Sequence, residues 1–75
     1  MSKGNITVGP NGRGGWAVRR EGSSRAISNH RKQETAIMRG RPIARDDKVE
    51  FTIRGRDGRI REKDSYGHDP RRIPG

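Results

Sequence analysis

In Val49-Glu50-Phe51-Thr52-Ile53-Arg54-Gly55-Arg56-Asp57-Gly58-Arg59-Ile60-Arg61-Glu62-Lys63, apolar and polar side chains alternate from Val49 to Ile53, an Asp-Gly pair follows, and Ile60 opens the stretch beyond it. Alternation at a period of two places successive side chains on opposite faces of a strand. Asp-Gly suits a two-residue type I′ turn between two such strands. The stretch therefore predicts a β-hairpin, with Val49 to Ile53 running out and Ile60 to Asp64 returning. Val49, Phe51, Ile53 and Ile60 are expected to face inward. In that register Arg56 faces Arg59, Arg54 faces Arg61 and Thr52 faces Lys63, all on the outer face. Like charges set directly opposite one another destabilise a sheet by about 0.2–1 kcal/mol per pair. A bound polyanion removes that cost, and a two-stranded ribbon fits the major groove of B-DNA. The plainer reading is a solvated face neutralised by Glu50, Glu62, Asp57 or Asp64, and a bulge at the turn would disperse the patch.

Working toward the N-terminus, the periodicity changes from two to between three and four. Ala36, Ile37, Gly40, Ile43 and Ala44 form a narrow apolar stripe at helical spacing, beginning near Lys32 and ending at Asp46-Asp47. Asn29 reads as a helix cap or a turn residue just before it. Pro42 works against a continuous helix, because proline in a helix interior costs about 3 kcal/mol. The helix is expected to kink there or give way to a second short turn. Gly40 offers room for the helix to approach a sheet closely.

Farther out, Asn5 to Val8 and Trp16 to Arg20 each alternate, and Gly9-Pro10-Asn11-Gly12-Arg13-Gly14-Gly15 between them is a dense turn signal. Trp16 and Val18 share one face of their strand. Arg25 to Ser28 extends the sheet as a short third piece. The coarse expectation is an α+β domain of order β-β-α-β-β, a small antiparallel sheet of two hairpins packed on one helix. Residues 1–66 would form this single domain, and residues 67–75 a flexible C-terminal tail pinned by Tyr66 or Ile73.

Composition bounds the function. The 75-residue chain is 25% hydrophobic and 36% charged, with a formal net charge of +9, so one thin core is all it can build. A core this small is often completed by homodimerisation or by a ligand. Fourteen of the eighteen basic residues are arginine, whose planar fork grips phosphate. The absence of cysteine excludes disulfides and thiolate zinc sites and agrees with a cytoplasmic location. Neither a signal-peptide pattern nor an apolar run long enough for a membrane span is present.

Several motifs in order resemble a small bacterial family known as domain of unknown function 2188. They are Gly15-Trp16-Ala17-Val18-Arg19-Arg20-Glu21-Gly22 with Ser24-Arg25-Ala26, Gly40-Arg41-Pro42-Ile43-Ala44-Arg45, Gly55-Arg56-Asp57-Gly58-Arg59-Ile60, and Asp64-Ser65-Tyr66-Gly67 with Asp69-Pro70. The similarity runs from about Thr7 to Gly75. His68 stands where asparagine is usual in the family, Arg54 where histidine is common, and Lys32 where threonine ordinarily caps the helix. The resemblance implies a compact sheet-and-helix domain and no activity.

Catalysis has little support. Ser65, His68 and Asp69 lie in one stretch with nothing to preorganise them. His30 and His68 with scattered carboxylates make no metal motif, and no cofactor is expected. Gly12-Arg13-Gly14-Gly15 lacks the following helix and lysine of a phosphate loop. Trp16 and Phe51 share strand faces with other apolar residues and read as core, which leaves Tyr66 as the one candidate for base stacking. The expected function is therefore a non-catalytic nucleic-acid-binding module, with duplex DNA favoured over RNA. Arg54, Arg56, Arg59, Arg61 and Lys63 on the hairpin would be the principal contacts, and Arg19, Arg39, Arg41 and Arg45 the secondary ones. Arg31 and Lys32 form part of the same basic group near the helix, and Arg71-Arg72 is a candidate arm. The alternative is a protein-interaction or regulatory adaptor that docks an acidic partner protein.

Overall fold

In the computed structural model, residues 4–66 are described. Five strands, β1 (Ile6–Pro10), β2 (Trp16–Arg20), β3 (Ala26–His30), β4 (Glu50–Arg54) and β5 (Ile60–Ser65), form one sheet, and α1 (Gln33–Asp47) crosses one of its faces. The spatial order is β3-β2-β1-β4-β5, antiparallel except for a parallel β1–β4 pair at the junction of the two halves. Parallel neighbours need a long crossover, which β2, β3 and α1 supply together.

Register explains which side chains make the core. Ile6 pairs with Phe51, and Val8 with both Val18 and Ile53, so these five and Trp16 share the helix side of the sheet. All six are buried. From the helix come Ala36, Gly40 and Ala44, buried at intervals of four, flanked by the partly buried Ile37 and Ile43. A Cβ on Gly40 would lie 2.8 Å from Phe51 Cε1 and 3.2 Å from Val18 Cγ1. The helix axis thus sits close to the sheet because this residue has no side chain. Overpacking of this kind typically costs about 1–3 kcal/mol.

The α+β class stands, but the sheet is mixed and five-stranded, with a parallel β1–β4 pair, not the antiparallel sheet of two hairpins in order β-β-α-β-β. Three further details differ from the sequence expectation. First, β3 is a full strand that reaches His30, so Asn29 lies in the sheet and does not cap the helix. The residue ahead of the helix is Lys32, in extended conformation and with no side-chain cap hydrogen bond. Second, α1 runs through Pro42 without a break. It ends on Lys48, whose φ of 57° allows its N–H to donate to the Arg45 carbonyl and the Val49 N–H to the Ala44 carbonyl. Third, the β4–β5 turn is not type I′. Gly58 N–H donates to the Gly55 carbonyl at 2.9 Å, so Arg56 and Asp57 are the central pair and only Gly58 has positive φ, 86°. This is a type I turn closed by a glycine bulge.

That turn changes the register above it. Thr52 faces Lys63 as expected, but a second irregularity sets Arg54 opposite Ile60 and leaves Arg61 as the extra residue. Ile60 is consequently turned outward and is 54% exposed. Among the described residues no helix is long and apolar enough to cross a membrane. The expected tail, with His68, Asp69, Arg71, Arg72 and Ile73, lies outside the described residues.

Candidate functional site

The five hairpin cations each have a different neighbour. Arg54 leaves the face of the sheet that the helix does not cover and donates from Nη1 to the Gly58 carbonyl at 2.8 Å, which brings its guanidinium to the turn. Arg56 lies over the Trp16 ring, 5.0 Å from the centroid. Arg59 is exposed beside Asp57 at 3.8 Å. Lys63 meets Glu50 at 3.2 Å across the strands. The stem of Arg61 packs against Gly55, with Cδ 2.9 Å from where a Cβ would stand. The expected row of facing arginines is thus replaced by a cluster around the turn. Because each guanidinium has a different neighbour, the direct like-charge opposition of the simple register is avoided.

The uncovered sheet face carries Arg19. With Thr7, Thr52, Arg54, Ile60 and Lys63 it borders an open depression of ≈ 460 Å³. On the helix the three expected contacts separate. Arg39 and Arg41 are two residues apart, hence about 200° apart around the axis, and point to opposite flanks. Arg41 donates from Nη1 to Asp64 Oδ2 and to the Tyr66 hydroxyl, both at 2.8 Å, and its guanidinium carbon stands 5.4 Å from the Phe51 ring centroid. Its pKa is raised by the Tyr66 hydrogen bond and then by the Asp64 one. This arginine binds strand β5 to the helix. Arg45 is exposed in the last helical turn, where a cation suits the negative end of the helix dipole.

Comparison with protein families gives one match. The family described as an uncharacterized protein conserved in bacteria, domain of unknown function 2188, matches residues 6–66. The chain belongs to this family. No curated protein and no solved structure matches it.

The glycine-rich segment of this family member explains itself locally. Asn11 Oδ1 accepts the Arg13 N–H at 2.8 Å and the Gly15 N–H at 3.0 Å, while Gly12 and Gly14 adopt φ of 79° and 84°. Backbone N–H groups that converge on one oxygen in this way resemble the nests that hold anions. Here the side chain of Asn11 already occupies that position, and the one charged side chain of the loop is that of Arg13. The Asn11 amide also donates to Asn29 Oδ1 at 3.3 Å, tying the loop to the end of β3. His30 lies within 2.8 Å of Ser28 Oγ through Nε2. Among the described residues no group of three His, Asp or Glu side chains could hold a metal ion.

The three described aromatic rings are all engaged in the fold. Phe51 is fully buried, Trp16 is 5% exposed, and Tyr66 is partly buried with its hydroxyl on Arg41. Sequence reasoning placed the first two in the core, as observed, and left Tyr66 as the stacking candidate, whereas its ring packs against the core and its hydroxyl accepts from Arg41. It missed Arg20, whose guanidinium donates to the Gly4 carbonyl at 3.0 Å and meets Asp47 at 2.7 Å. The signal for that pair, an arginine on the apolar side of the β2 alternation, was present but is shared by many exposed arginines.

Proposed function

We propose that this domain is a non-catalytic nucleic-acid-binding module that holds a duplex mainly through its phosphates, with DNA as the preferred polyanion. The observation that carries this reading is the imbalance of pairing. Ion pairs with carboxylates among the described residues engage Arg20, Arg41, Arg59 and Lys63. Arg13, Arg19, Arg25, Arg31, Lys32, Arg39, Arg45, Lys48, Arg54, Arg56 and Arg61 have no such partner among those residues. Unneutralised charge of one sign repels itself, and an anionic partner relieves that repulsion. Arg54, Arg56, Arg59 and Arg61 at the hairpin are the principal contacts, and Arg19 and Lys63 contribute from the uncovered face.

The engagement of every described ring in the fold favours backbone contact over base stacking, hence a duplex over a single strand. Binding is then sequence-tolerant and driven by counterion release. The test is titration of nuclease-treated protein into labelled duplex DNA, single-stranded DNA and RNA at several salt concentrations. Micromolar or tighter duplex binding, falling linearly on a log–log salt plot, is the expected result. Absence of binding to all three at low salt refutes the reading, and co-purification with one acidic protein would then favour the adaptor.

A further inference from the structure

Three separate connections meet at one end of the sheet. Loop 11–15 joins β1 to β2, residues 31–32 lead from β3 into the helix, and 55–59 is the β4–β5 turn. Side chains tie them together: Asn11 bonds Asn29, the Gln33 amide donates to the Arg54 carbonyl at 2.9 Å, and Arg56 covers Trp16. An open depression of ≈ 510 Å³ lies here, bordered by Arg13, Gly14, Asn29, His30 and Arg31.

Among the described connections between elements, the charges at the two ends of the sheet differ. Counting each connection together with the adjoining helical turn, residues 11–15, 31–36 and 55–59 carry Arg13, Arg31, Lys32, Arg56 and Arg59 against Glu34 and Asp57, a balance of 5 − 2 = +3. At the opposite end, residues 21–25 and 44–49 carry Arg25, Arg45 and Lys48 against Glu21, Asp46 and Asp47, a balance of 3 − 3 = 0. The guanidinium of Arg54, held on the Gly58 carbonyl, adds to the first end. The positive end of the helix dipole points the same way.

We infer that the contact surface extends from the hairpin over this end, and that Arg13, Arg31 and Lys32 bind the same duplex as Arg54, Arg56 and Arg59. This rests on the nucleic-acid reading above and specifies its geometry. Strand order β3-β2-β1-β4-β5 places Arg31 at one side of the end and Arg59 at the other. Four inter-strand steps of about 4.8 Å make that span about 19 Å. Each phosphate of one B-DNA strand advances about 3.4 Å along the helix axis, so a span laid parallel to the axis covers the rise of roughly five or six of them. Six cations spread over that length suit a regular array of single charges, which an acidic protein surface does not offer.

The experiment compares two charge-matched triple variants binding a labelled DNA duplex. Arg13→Glu with Arg31→Glu and Lys32→Glu alters the proposed end. Arg25→Glu with Arg39→Glu and Arg45→Glu makes the same change in net charge elsewhere. The first set is expected to weaken binding at least about 100-fold and to remove about three units of log–log salt slope, near 0.9 per lost phosphate contact. The second set is expected to remove less than about one unit. The glutamine versions of both sets repeat the comparison with smaller charge changes and guard against loss of fold. Trp16, the single tryptophan, gives a reading without mutation: a contact at this end draws Arg56 from the ring and shifts its emission. Equal losses in the two sets, with unchanged Trp16 emission, overturn the inference and leave nucleic-acid binding standing. Absence of duplex binding by the unaltered protein overturns both.

Discussion

At the end of the sheet where the helix finishes, the half-buried Arg20 and Arg41 meet acids, while the exposed Arg25, Arg45 and Lys48 have no carboxylate partner among the described residues. Arg20 reaches Asp47 at 2.7 Å, with both side chains largely shielded from water, and Arg41 joins Asp64 and Tyr66 beside the last strand. At the end where the helix begins, cations meet a carbonyl, an indole ring, one exposed carboxylate, or nothing among the described residues. The same residue type therefore serves two purposes. Where arginine is paired and half-buried it fastens strand to helix, and where it is unpaired it contributes field rather than fold. A basic composition alone does not distinguish the two, because the division depends on which loops the topology gathers.

This contrast yields graded expectations. Arg20→Ala should have the largest effect on stability, about 2 kcal/mol, because it removes a charged hydrogen bond from a shielded Asp47. The melting temperature should fall by roughly 8–16 °C, while the salt slope of DNA binding changes by less than about one unit. A stable variant that no longer binds DNA would reverse the assignment of the two ends. Arg41→Gln should cost about 1 kcal/mol, read from urea denaturation. Its folded pKa is raised, so its contribution is present at all pH below the ordinary arginine range and is lost only as pH rises through the raised value. The variant should therefore be less stable than the parent by the same amount at about pH 7 and about pH 9.

At the other end, Arg56→Gln should destabilise by about 0.5–1 kcal/mol through the lost ring contact, change Trp16 emission, and lower the salt slope by about one unit. Arg13→Gln should be the mildest, within about 0.5 kcal/mol of the parent in stability and again about one unit lower in slope. A cost above about 1 kcal/mol at Arg13 would mean that this end is structural too, and the contrast would collapse.

How much of this was legible beforehand depended on the range of the interaction. The Ala36, Gly40, Ala44 stripe and the inward Trp16, Val18, Phe51 and Ile53 follow from local periodicity, and the structure places them as that periodicity implies. The full length of β3 was not visible, since Ser28 and Asn29 on an edge strand bury little and give no alternating apolar signal. The parallel β1–β4 pair joins residues more than forty positions apart, and no local pattern encodes it. The turn was misread for a finer reason. Asp-Gly fits type I′ only if both residues take positive φ, and here only Gly58 does. That difference moved Ile60 outward and removed Arg61 from opposite Arg54. The hairpin arginines were thus named correctly as residues of one hairpin but not as a facing row, and Arg13 entered the candidate surface only once the loops were seen to converge.

Strand β5 has a further consequence. Glu62 pairs with Ile53 and Asp64 with Phe51, so both acids lie on the helix side, whereas Lys63 opposite Thr52 lies on the other. Two copies of the chain joined antiparallel along this outer strand would be related by a two-fold axis perpendicular to the sheet. Residues from the same side would then meet, acid against acid and lysine against lysine or serine. Each such encounter is repulsive or at best neutral, and charged outer strands of this kind discourage uncontrolled sheet growth. The hairpin whose turn is proposed to meet a polyanion therefore also carries charges that oppose aggregation along its outer strand.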